Sequence, residues 1–557
     1  MKAVPDETVD VTEQGHFVRP WAMNEVEDAK AHIREHSLKS ATGIDKVAYE
    51  RVLRIPNEEL LHLFQACVDS RDAPTTWLTA SLIGIGKRGK DLGDPTNYRA
   101  VGLESCMLKM LTLMIERRIR NWAESTGKLP MSQNGFREGH RTNNNAFVLR
   151  TAIEKARANG KPLYVAFVDL SNAFPSVDQP TMWAKLYDAG CRGPLFDWLR
   201  MLYSRLEYVV RSGGDVSERF RALAGILIGD PASPILWNLF LADLVIRTSP
   251  DDVVLAGVAV SHLEQADDIA IFTTSVRALQ EKLDDLAAWC AVNFAFINTT
   301  KTQVMVFGNA SEPPRVYINR RLLSVVDSYV YVGIQFASSS RDVFAPHTEG
   351  RASAARRVAN ACLSIESYVG PLPPWAALTL YQSHVDPYVT AGCEVALDSK
   401  VSSATQLEAV QLAYLRRVLG LNPRSVKVVM FSETGLWPMR YRRLALALRY
   451  LQYVLGQRPA LPLAALAEAR ALALSGKASW LGDLRLALSK LTTPVVFDVA
   501  APLTEDGVAG CLEDLRTSLV TDLKQQINGS TRLTILSARK QRDPALERRA
   551  YLAVTNR

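Results

Sequence analysis

The spacing of apolar positions changes along the chain, and this change predicts two kinds of structure. Between residues 162 and 307, three β-branched or aromatic runs predict strands: LYVAFVDL, LEQADDIAIF and TQVMVFG. Segments with helical periodicity separate them, such as TMWAKLYDAG and SVRALQEKLDDLAAWCAVN. We therefore expect an α+β layered unit with a sheet at its base.

Upstream of this unit the pattern is mixed. Residues 41–153 alternate helical stretches, NEELLHLFQACV and KMLTLMIERRIRNWAE, with short apolar runs such as TASLIGI. In residues 1–40 only VEDAKAHIREHS is periodic, and it predicts a short helix. We expect this leader to pack on the body of the protein.

Beyond about Phe344 the strand pattern stops, and a helical bundle is predicted. Between residues 403 and 420, four apolar positions share one helix face: Leu407, Val410, Tyr414 and Val418. Residues 459–475 are rich in Ala and Leu and fit either a helix or an ordered connector. A last amphipathic helix is predicted from about Val508 and ends at Asn528-Gly529.

The composition fits an intracellular globular protein of several packed units. The chain has 557 residues, of which 48% are hydrophobic and 22% charged. Its net charge of +7 permits polyanion binding without demanding it. The seven cysteines lack zinc-ligand spacing, so we expect reduced, mostly buried thiols. No apolar run reaches the length of a membrane span, so no membrane partner is expected.

Three aspartates stand where strands are predicted to end. Asp169 follows an almost entirely apolar run, so its backbone is expected in a buried strand while its carboxylate emerges at the strand end. In HLEQADDIAIF, apolar arms flank Ala266-Asp267-Asp268, the pattern of a hairpin whose tip exposes adjacent carboxylates. Paired aspartates are also common in solvated turns, which is our interpretation of Asp251-Asp252 and Asp284-Asp285.

Crowded carboxylates are costly unless cations lie between them. Mg²⁺ prefers oxygen ligands from one or two carboxylates together with substrate phosphates. Two such ions ~3.5–4 Å apart can activate an attacking 3′-hydroxyl and stabilise a leaving pyrophosphate. The aspartates therefore point to nucleotidyl transfer with two Mg²⁺ ions, for which Mn²⁺ could substitute.

Ordered motifs around these aspartates resemble the reverse transcriptases of non-LTR retrotransposons, over about residues 39–457. In chain order they are SATGIDKVAYE, WLTASLIGIGKRGKDLGDPTNYRAVGL, SQNGFREGHRT, FVDLSNAF (motif A), GILIGDPASPILWNLFLADL (motif B), QADD (motif C), INTTKTQVMVFG (motif D) and YVYVGIQF (primer grip). LEAVQLAYLRRVLGL and SETGLWPMRYRRLALALRYL resemble the helical region downstream. So many matches in one order do not arise by chance.

The resemblance implies a right-hand polymerase: fingers and a palm with an antiparallel sheet, followed by an all-α thumb and a C-terminal helical region. It divides the chain into a leader at 1–40, fingers at 41–161, a palm with motifs A to E at 162–343, a helical thumb and basic region at 344–458 and a C-terminal helical extension at 459–557. It also implies an RNA template, a DNA primer, dNTP substrates and a nuclear location.

The resemblance assigns catalytic roles to four residues. Asp169, Asp267 and Asp268 would hold the two metal ions. Lys301 of motif D would protonate the leaving pyrophosphate. A solvated lysine is the ordinary alternative for Lys301.

It also assigns roles in nucleotide binding. Lys87 and Arg99 would hold the incoming triphosphate, Arg99 by bidentate contact. The Phe174 ring would exclude a 2′-hydroxyl, and Gly229 would let the backbone approach the nucleotide closely. Ser233-Pro234 would open the following helix as N-cap and first helical residue. Surface cations and a core phenylalanine are the ordinary alternatives.

A basic run in the helical half predicts contacts with duplex phosphates. Residues 411–460 contain nine Lys or Arg against one acid, Glu433. The residues chosen from this run as nucleic-acid-binding candidates are Arg416, Arg417, Arg440, Arg442 and Arg443. A run of charge is also typical of a solvated helix face.

Three motifs depart from the family pattern. Motif B has Leu227-Ile228-Gly229-Asp230-Pro231 in place of Pro-Gln-Gly-Ser-Pro, so it loses a polar Gln and gains an acid near the nucleotide. Gln265 replaces an aromatic before Ala-Asp-Asp, and Pro175 replaces an Asp. No metal ligand is lost. The pairing of Ile-Gly-Asp-Pro-Ala-Ser-Pro with Gln-Ala-Asp-Asp resembles that in retroelement-like reading frames of mushroom-forming fungi, which favours a lineage variant over decay.

Three functions remain to be separated. The leading hypothesis is an RNA-directed DNA polymerase. A catalytically silent RNA-binding protein derived from a reverse transcriptase is the second, motivated by Ile228 and Asp230. An RNA-directed RNA polymerase is disfavoured by Phe174 and by Ala-Asp-Asp in place of Gly-Asp-Asp. Neither an endonuclease nor a Cys/His-rich segment fits the sequence, so we expect either a fragment of a larger element or a truncated gene model. On its own the chain is expected to polymerise without nicking a target.

Overall fold

The computed structural model describes residues 4–310, 312–339, 342–397, 401–538 and 548–553. Two five-stranded sheets occupy the first part of the chain, and helices fill the part after the last strand. The predicted α+β class with a helical C-terminal region is therefore confirmed. The extension predicted at 459–557 includes residues 539–547 and 554–557, which lie outside the described residues.

The elements fall into three stretches. The first contains α1 (Met23–His32), α2 (Tyr49–Val52), α3 (Asn57–Ser70), β1 (Thr79–Gly86), β2 (Tyr98–Leu103), α4 (Cys106–Ser125) and α5 (Asn143–Ala158). The second contains β3 (Leu163–Asp169), α6 (Ala173–Ser176), α7 (Gln179–Ala189), α8 (Pro194–Arg205), β4 (Glu207–Ser212), β5 (Asp215–Val216), β6 (Phe220–Arg221), α9 (Ser233–Leu241), β7 (Val253–Leu255), β8 (Val258–Val260), β9 (His262–Gln265), β10 (Asp268–Thr273), α10 (Val276–Val292), β11 (Gln303–Phe307), β12 (Tyr317–Ile318), β13 (Arg321–Leu322), β14 (Ser324–Val325), β15 (Ser328–Tyr331) and β16 (Ile334–Ala337). The third contains α11 (Ala345–Ser364), α12 (Glu366–Val369), α13 (Pro374–Leu380), α14 (Asp386–Thr390), α15 (Val401–Val418), α16 (Lys427–Thr434), α17 (Met439–Gln457), α18 (Ala460–Leu474), α19 (Trp480–Ser489), α20 (Glu505–Asn528) and α21 (Thr534–Ser537).

The palm sheet has the strand order β14-β11-β3-β10-β9. Strand β3 lies in its middle and is antiparallel to both β10 and β11. Strands β9 and β10 form the predicted hairpin. The three strand runs recognised in the sequence are thus confirmed, and only the β11–β14 pair at the edge is parallel.

Both faces of the palm sheet are covered, which explains the continuous apolar run in β3. Six consecutive residues of β3, from Leu163 to Val168, are buried. Alternate side chains enter different cores: Tyr164, Ala166 and Val168 pack with the fingers helices, and Leu163, Val165 and Phe167 pack with α5 and the C-terminal helices. The helical half is therefore needed to complete the palm.

The second sheet joins distant parts of the chain. Strands β1 and β2 form an antiparallel hairpin, and β4 lies beside β1 in parallel, with Thr79 opposite Glu207. Strands β5 and β6 pair with β4. Local periodicity predicted β1 but did not indicate this long-range pairing.

The helical half largely follows its sequence pattern. The predicted face of α15 is buried at Leu407, Val410 and Tyr414. Residues 460–474 form α18, so this segment is a helix and not a connector. Helix α20 ends at Asn528, as predicted. In the described part of the chain, no helix is long and apolar enough to cross a membrane.

Other expectations concern cysteines and paired aspartates. Six of the seven cysteines are buried, and none of the seven forms a disulfide in the described residues. The prediction of a solvated turn at Asp251-Asp252 is wrong for Asp252, because its side chain is buried and forms an ion pair with Lys282 at 3.0 Å. Asp284 and Asp285 lie within α10, where Asp285 accepts hydrogen bonds from Arg247.

His347 of α11 forms hydrogen bonds that link the helical half to the last strand pair, β15 and β16. It is buried, its Nδ1 accepts the Gln335 backbone N–H at 3.2 Å, and its Nε2 donates to the Ala391 carbonyl at 3.0 Å. Only a neutral imidazole makes both bonds. Burial, with Arg351 and Arg443 nearby, lowers the pKa of His347 to about 4.

We expect this histidine to make stability depend on pH. An unfolded histidine titrates near 6.5, so the contribution of neutral His347 is complete above that pH and is lost as pH falls toward 4. The loss should reach about 1.4 kcal/mol per pH unit within this window. Urea unfolding of the wild type and of His347→Gln from pH 7.5 to 4.5 measures it. Parallel profiles for the two proteins would contradict the assignment.

Candidate active site

The three aspartates come together at one end of the palm sheet. Asp169 is the last residue of β3, and Asp268, the first residue of β10, is its direct partner across the strand pair. Ala266 and Asp267 form the two-residue turn between β9 and β10. Ala266 has a left-handed backbone with φ of 58°, which is uncommon for a residue with a Cβ atom. The turn therefore presents Asp267 beside the facing pair.

These carboxylates disfavour one another's charge. Burial, followed by repulsion from Asp267 and Asp169, raises the pKa of Asp268 to about 6. Burial and repulsion from Asp169 also raise the pKa of Asp267. The site thus holds more negative charge than its own surroundings balance, and a cation would relieve this excess.

Motif D contributes to Asp169 in two ways. The Lys301 Nζ lies 3.4 Å from Asp169 Oδ2, in a solvent-exposed ion pair. The Thr302 hydroxyl accepts the Asp169 backbone N–H at 3.3 Å, and the Asp169 carbonyl accepts the Asn298 N–H at 2.8 Å. Thr302 was not predicted as a site residue from the sequence, although it directly follows the motif D lysine.

The donor set fits a hard divalent cation that is completed by substrate. Among the described residues, no group of three or more His, Cys, Asp and Glu side chains is arranged to hold a metal ion by itself. Mg²⁺ usually takes one or two carboxylates together with phosphate oxygens and water. The carboxylates of Asp169, Asp267 and Asp268, with their unbalanced charge, fit that mode of binding and do not form a closed metal cage.

Phe174 follows Asp169 by five residues in sequence and lies in the short helix α6. Its ring stacks on Trp237 with centroids 5.3 Å apart and meets the edge of Phe136 at 6.0 Å. The side chain is partly exposed, so it is not an ordinary core residue. Trp237 and Phe136 restrict where the ring can move, which suits a residue that limits the space beside a bound sugar.

The motif B loop differs from expectation. Ser233 is the first residue of α9 and not its N-cap, because its hydroxyl donates to the Leu227 carbonyl. Asp230 accepts the Ala232 backbone N–H at 2.8 Å instead. Gly229 has a φ of 94°, and a Cβ there would lie 2.7 Å from the Gly102 carbonyl oxygen. The close approach at Gly229 observed in the structure is therefore to strand β2.

Comparison with known proteins agrees with this geometry. Residues 85–336 match a family model described as "Reverse transcriptase (RNA-dependent DNA polymerase)". The match includes all three aspartates, the motif B loop and both strands that carry the site. Residues 85–336 form a reverse transcriptase domain.

Curated relatives extend the similarity beyond this domain. The RNA-directed DNA polymerase from mobile element jockey of Drosophila melanogaster is 27% identical over 72% of this chain and 44% of the relative. Its counterpart in Drosophila funebris is 31% identical over 56% of this chain and 34% of the relative. A solved structure of apo telomerase from Candida tropicalis is similar over 74% of this chain and 68% of that chain, with 10% identity and a TM-score of 0.37. The chain thus spans less than half the length of these curated relatives.

The fingers cations of the reverse transcriptase domain lie on the hairpin of β1 and β2. Lys87 follows β1, and its Nζ donates to the Thr96 carbonyl at 2.9 Å. Arg99 lies on β2 opposite Ile85. Both side chains are exposed, so they are free to contact a phosphate that approaches this hairpin.

Four of the five candidate arginines in the basic run of the helical half contact other residues of the protein. The prediction that Arg443 contacts nucleic acid is wrong, because this side chain is buried and donates to the Val389 and Ala396 carbonyls. Arg417 pairs with Glu366, Arg442 pairs with Asp386, and Arg440 donates to the Lys490 carbonyl. The buried Arg416 Nε has no hydrogen-bond partner among the described residues. Counting charges along the sequence could not separate these roles.

Helix α11 carries a different pair of exposed basic residues, which was not predicted from the sequence. Helix α11 buries small residues on one face: Ala352, Ala355, Ala359 and Cys362. Arg356 and Arg357 lie exposed on α11. The alanines, spaced at three and four residues, indicate the buried face of this helix and so which of its arginines are exposed. A search for larger apolar side chains does not detect this spacing.

Beneath the motif B loop, the reverse transcriptase domain buries two acids against each other. Glu104 is fully buried and Asp230 is 4% exposed. When both acids are ionised, neither oxygen of Glu104 has a hydrogen-bond donor within the part of the chain that the structure describes. Burial, followed by repulsion from Asp230, raises the pKa of Glu104, and burial raises the pKa of Asp230. A proton shared between the two carboxyls gives both a partner, so we expect the pair to carry one.

We expect this pair to weaken the fold as pH rises. Both pKa values are raised in the folded state, so their contribution is complete below pH 4 and is lost as the shared proton leaves. Glu104→Gln keeps a donor toward Asp230 and removes one charge. It should be more stable than the wild type at pH 8 by about 1–3 kcal/mol, and by less at pH 5.

Urea unfolding at the two pH values measures this difference. Glu59→Gln on α3 is the matched control, because Glu59 is exposed. A difference between Glu104→Gln and the wild type that does not change with pH would contradict a shared proton.

Proposed function

We propose that this chain is an RNA-directed DNA polymerase of the non-LTR retrotransposon type. The observation that carries the proposal is the register of β3 and β10, which sets Asp268 opposite Asp169 beside the Asp267 turn. The reverse transcriptase domain and relatives named RNA-directed DNA polymerases support it. RNA template, DNA primer and dNTPs are the proposed partners, and the nucleus is the proposed location.

Each site residue has a proposed task. Asp169, Asp267 and Asp268 would hold two divalent ions, Mg²⁺ or Mn²⁺. Bound there, such ions activate a 3′-hydroxyl and neutralise charge on the leaving pyrophosphate. Lys301, which lies beside Asp169, is suited to give a proton to that pyrophosphate.

Nucleotide and duplex contacts involve the exposed cations. Lys87 and Arg99 are proposed to bind the triphosphate from the fingers hairpin. Arg356 and Arg357 of α11 are proposed to contact duplex phosphates, in the role first expected of the basic run at 411–460. Such contacts give affinity with little sequence selectivity.

The position of Asp230 removes one of the two reasons for the catalytically silent alternative. Asp230 was expected to place a foreign charge near the nucleotide, but its carboxyl is buried against Glu104. It also accepts the Ala232 N–H, which supports the start of α9. The acid therefore has a structural task in the motif B loop.

Replacement of one facing aspartate should abolish synthesis. Asp268→Asn leaves the strand pair intact but removes a charge needed for cations, so extension of a DNA primer on RNA should fall by more than about 100-fold. The measurement is dNTP incorporation with Mg²⁺ and with Mn²⁺. Melting should not occur at a lower temperature than in the wild type, because the lost charge is one that its neighbours disfavour.

Asp284→Asn is the matched control, because Asp284 is an exposed aspartate of α10 within another Asp-Asp pair. It should retain wild-type activity. A folded wild-type protein that binds template and primer but incorporates no dNTP would overturn the proposal in favour of the silent protein. Incorporation of NTPs alone would favour an RNA-directed RNA polymerase.

Removal of the Phe174 ring should relax sugar selection. Phe174→Ala opens space beside Trp237, so the efficiency of NTP relative to dNTP incorporation should rise by about 10–100-fold. Single-nucleotide incorporation kinetics measure the ratio. Phe294→Ala, at an exposed phenylalanine, is the control. An unchanged ratio in Phe174→Ala would refute this role.

A further inference from the structure

The side chain of Gln133 binds both backbone polar groups of Ala266, the first residue of the turn that carries Asp267. The Ala266 backbone N–H donates to Gln133 Oε1 at 3.0 Å, and the Ala266 carbonyl accepts from Gln133 Nε2 at 3.4 Å. Gln133 is fully buried. Ala266 holds a left-handed backbone, which costs roughly 1–2 kcal/mol in a residue with a Cβ atom. These two bonds oppose relaxation of the turn.

The segment around Gln133 lies directly against the turn. The Gly135 N–H also donates to Gln133 Oε1, at 2.8 Å. A Cβ at Gly135 would lie 2.3 Å from the Ala266 nitrogen, so a larger residue does not fit. Backbone bonds continue this contact: Asn134 N–H donates to the Glu264 carbonyl, and Glu264 N–H donates to the Ser132 carbonyl. The turn is thus built against this segment as well as against its own hairpin.

Glu264 fixes the orientation of the Gln133 amide. Its carboxylate is fully buried and accepts from Gln133 Nε2 at 3.1 Å. If the amide were reversed, its nitrogen would face two backbone N–H groups and its oxygen would face a carboxylate. Both consequences are unfavourable in a buried site. Glu264 therefore holds the orientation in which Gln133 can bind the turn.

Glu264 is itself held by two further donors. The Ser132 hydroxyl lies 2.7 Å from its Oε1, and His262 Nε2 lies 3.0 Å from the same oxygen. His262 Nδ1 faces the Ser261 hydroxyl at 2.8 Å. A buried carboxylate needs such partners, and three donors converge on this one. The contacts form a chain from Ser261 through His262, Glu264 and Gln133 to the turn.

We propose that Gln133 is a positioning residue, oriented by Glu264, that fixes the Ala266-Asp267 turn and thereby the placement of Asp267 and Asp268. This inference rests on the proposed polymerase function. Gln133 touches neither carboxylate and acts through the backbone of Ala266. A displacement near 1 Å at a reacting centre can cost about 100-fold in rate, so a hydrogen bond made by a remote residue can be decisive.

Loss of the Gln133 amide should slow catalysis without weakening substrate binding. Gln133→Met has a similar length and no hydrogen-bonding amide. The kcat for dNTP incorporation should fall by about 10–100-fold, while KM for dNTP and the Kd for template and primer change less than about threefold. Gln525→Met, at an exposed glutamine of α20, is the matched control and should behave as the wild type.

Glu264 provides a second and independent set of variants. Glu264→Gln still offers an oxygen to Gln133 Nε2 and should retain most of the kcat, whereas Glu264→Leu cannot and should lose about as much as Gln133→Met. Because Glu264 acts through Gln133, the double variant Gln133→Met/Glu264→Leu should be no slower than the slower single variant. Multiplied losses in the double variant would overturn the proposed chain of action.

Hydrogen exchange of the protein without substrate tests the positioning role apart from activity. In Gln133→Met the Ala266 amide loses its acceptor, so exchange within residues 262–268 should be about tenfold faster or more. Unchanged exchange together with unchanged kcat would overturn the inference. So would equal losses of kcat, template binding and melting temperature, since these indicate general destabilisation. If the wild type fails to polymerise, the proposed function fails, and the exchange measurement alone decides whether Gln133 holds the turn.

Discussion

Asp169 and Asp268 face each other across paired strands, with Asp267 on the adjoining turn, and their negative charges repel. The repulsion is not relieved by movement, because β3 and β10 are paired in register from Asp169 and Asp268 to Tyr164 and Thr273. Burial of the sheet between two cores opposes any sliding of the strands. Packing energy distributed over the palm thus maintains a local charge excess that favours a divalent cation.

That packing comes from both ends of the chain. One face of β3 lies against the core shared with the fingers helices, and the other lies against α5 and the C-terminal helices. Ionic and hydrogen-bonding contacts extend the second interface: the buried Arg150 of α5 donates to Glu154, Asp483 and the Val395 carbonyl. The residues beyond the matched domain at 85–336 are therefore part of what holds the strands that carry the three aspartates.

The sequence allowed prediction of the features that depend on short-range pattern. The apolar run before Asp169 and the two arms around Ala266-Asp267-Asp268 predicted strands and a hairpin, because strand periodicity is local. The parallel pairing of β1 with β4 was not predictable in this way, since it depends on residues distant in sequence. Whether a charged side chain is buried or exposed was not predictable either. Arg443 and Asp230 are buried by tertiary contacts that local periodicity does not encode.

The departures from the family pattern are absorbed by the structure around them. Gln265, in place of an aromatic, accepts a hydrogen bond from Asn134 at 2.7 Å, within the segment that binds the turn. Asp230, in place of a serine, supports the start of α9 and faces Glu104. A buried polar group without a partner costs about 1–3 kcal/mol. Asn134, 131 residues earlier in the chain, supplies the partner of Gln265, and the Ala232 N–H supplies one for Asp230, so both introduced polar residues gain a hydrogen bond from backbone or side chains that the fold brings to them.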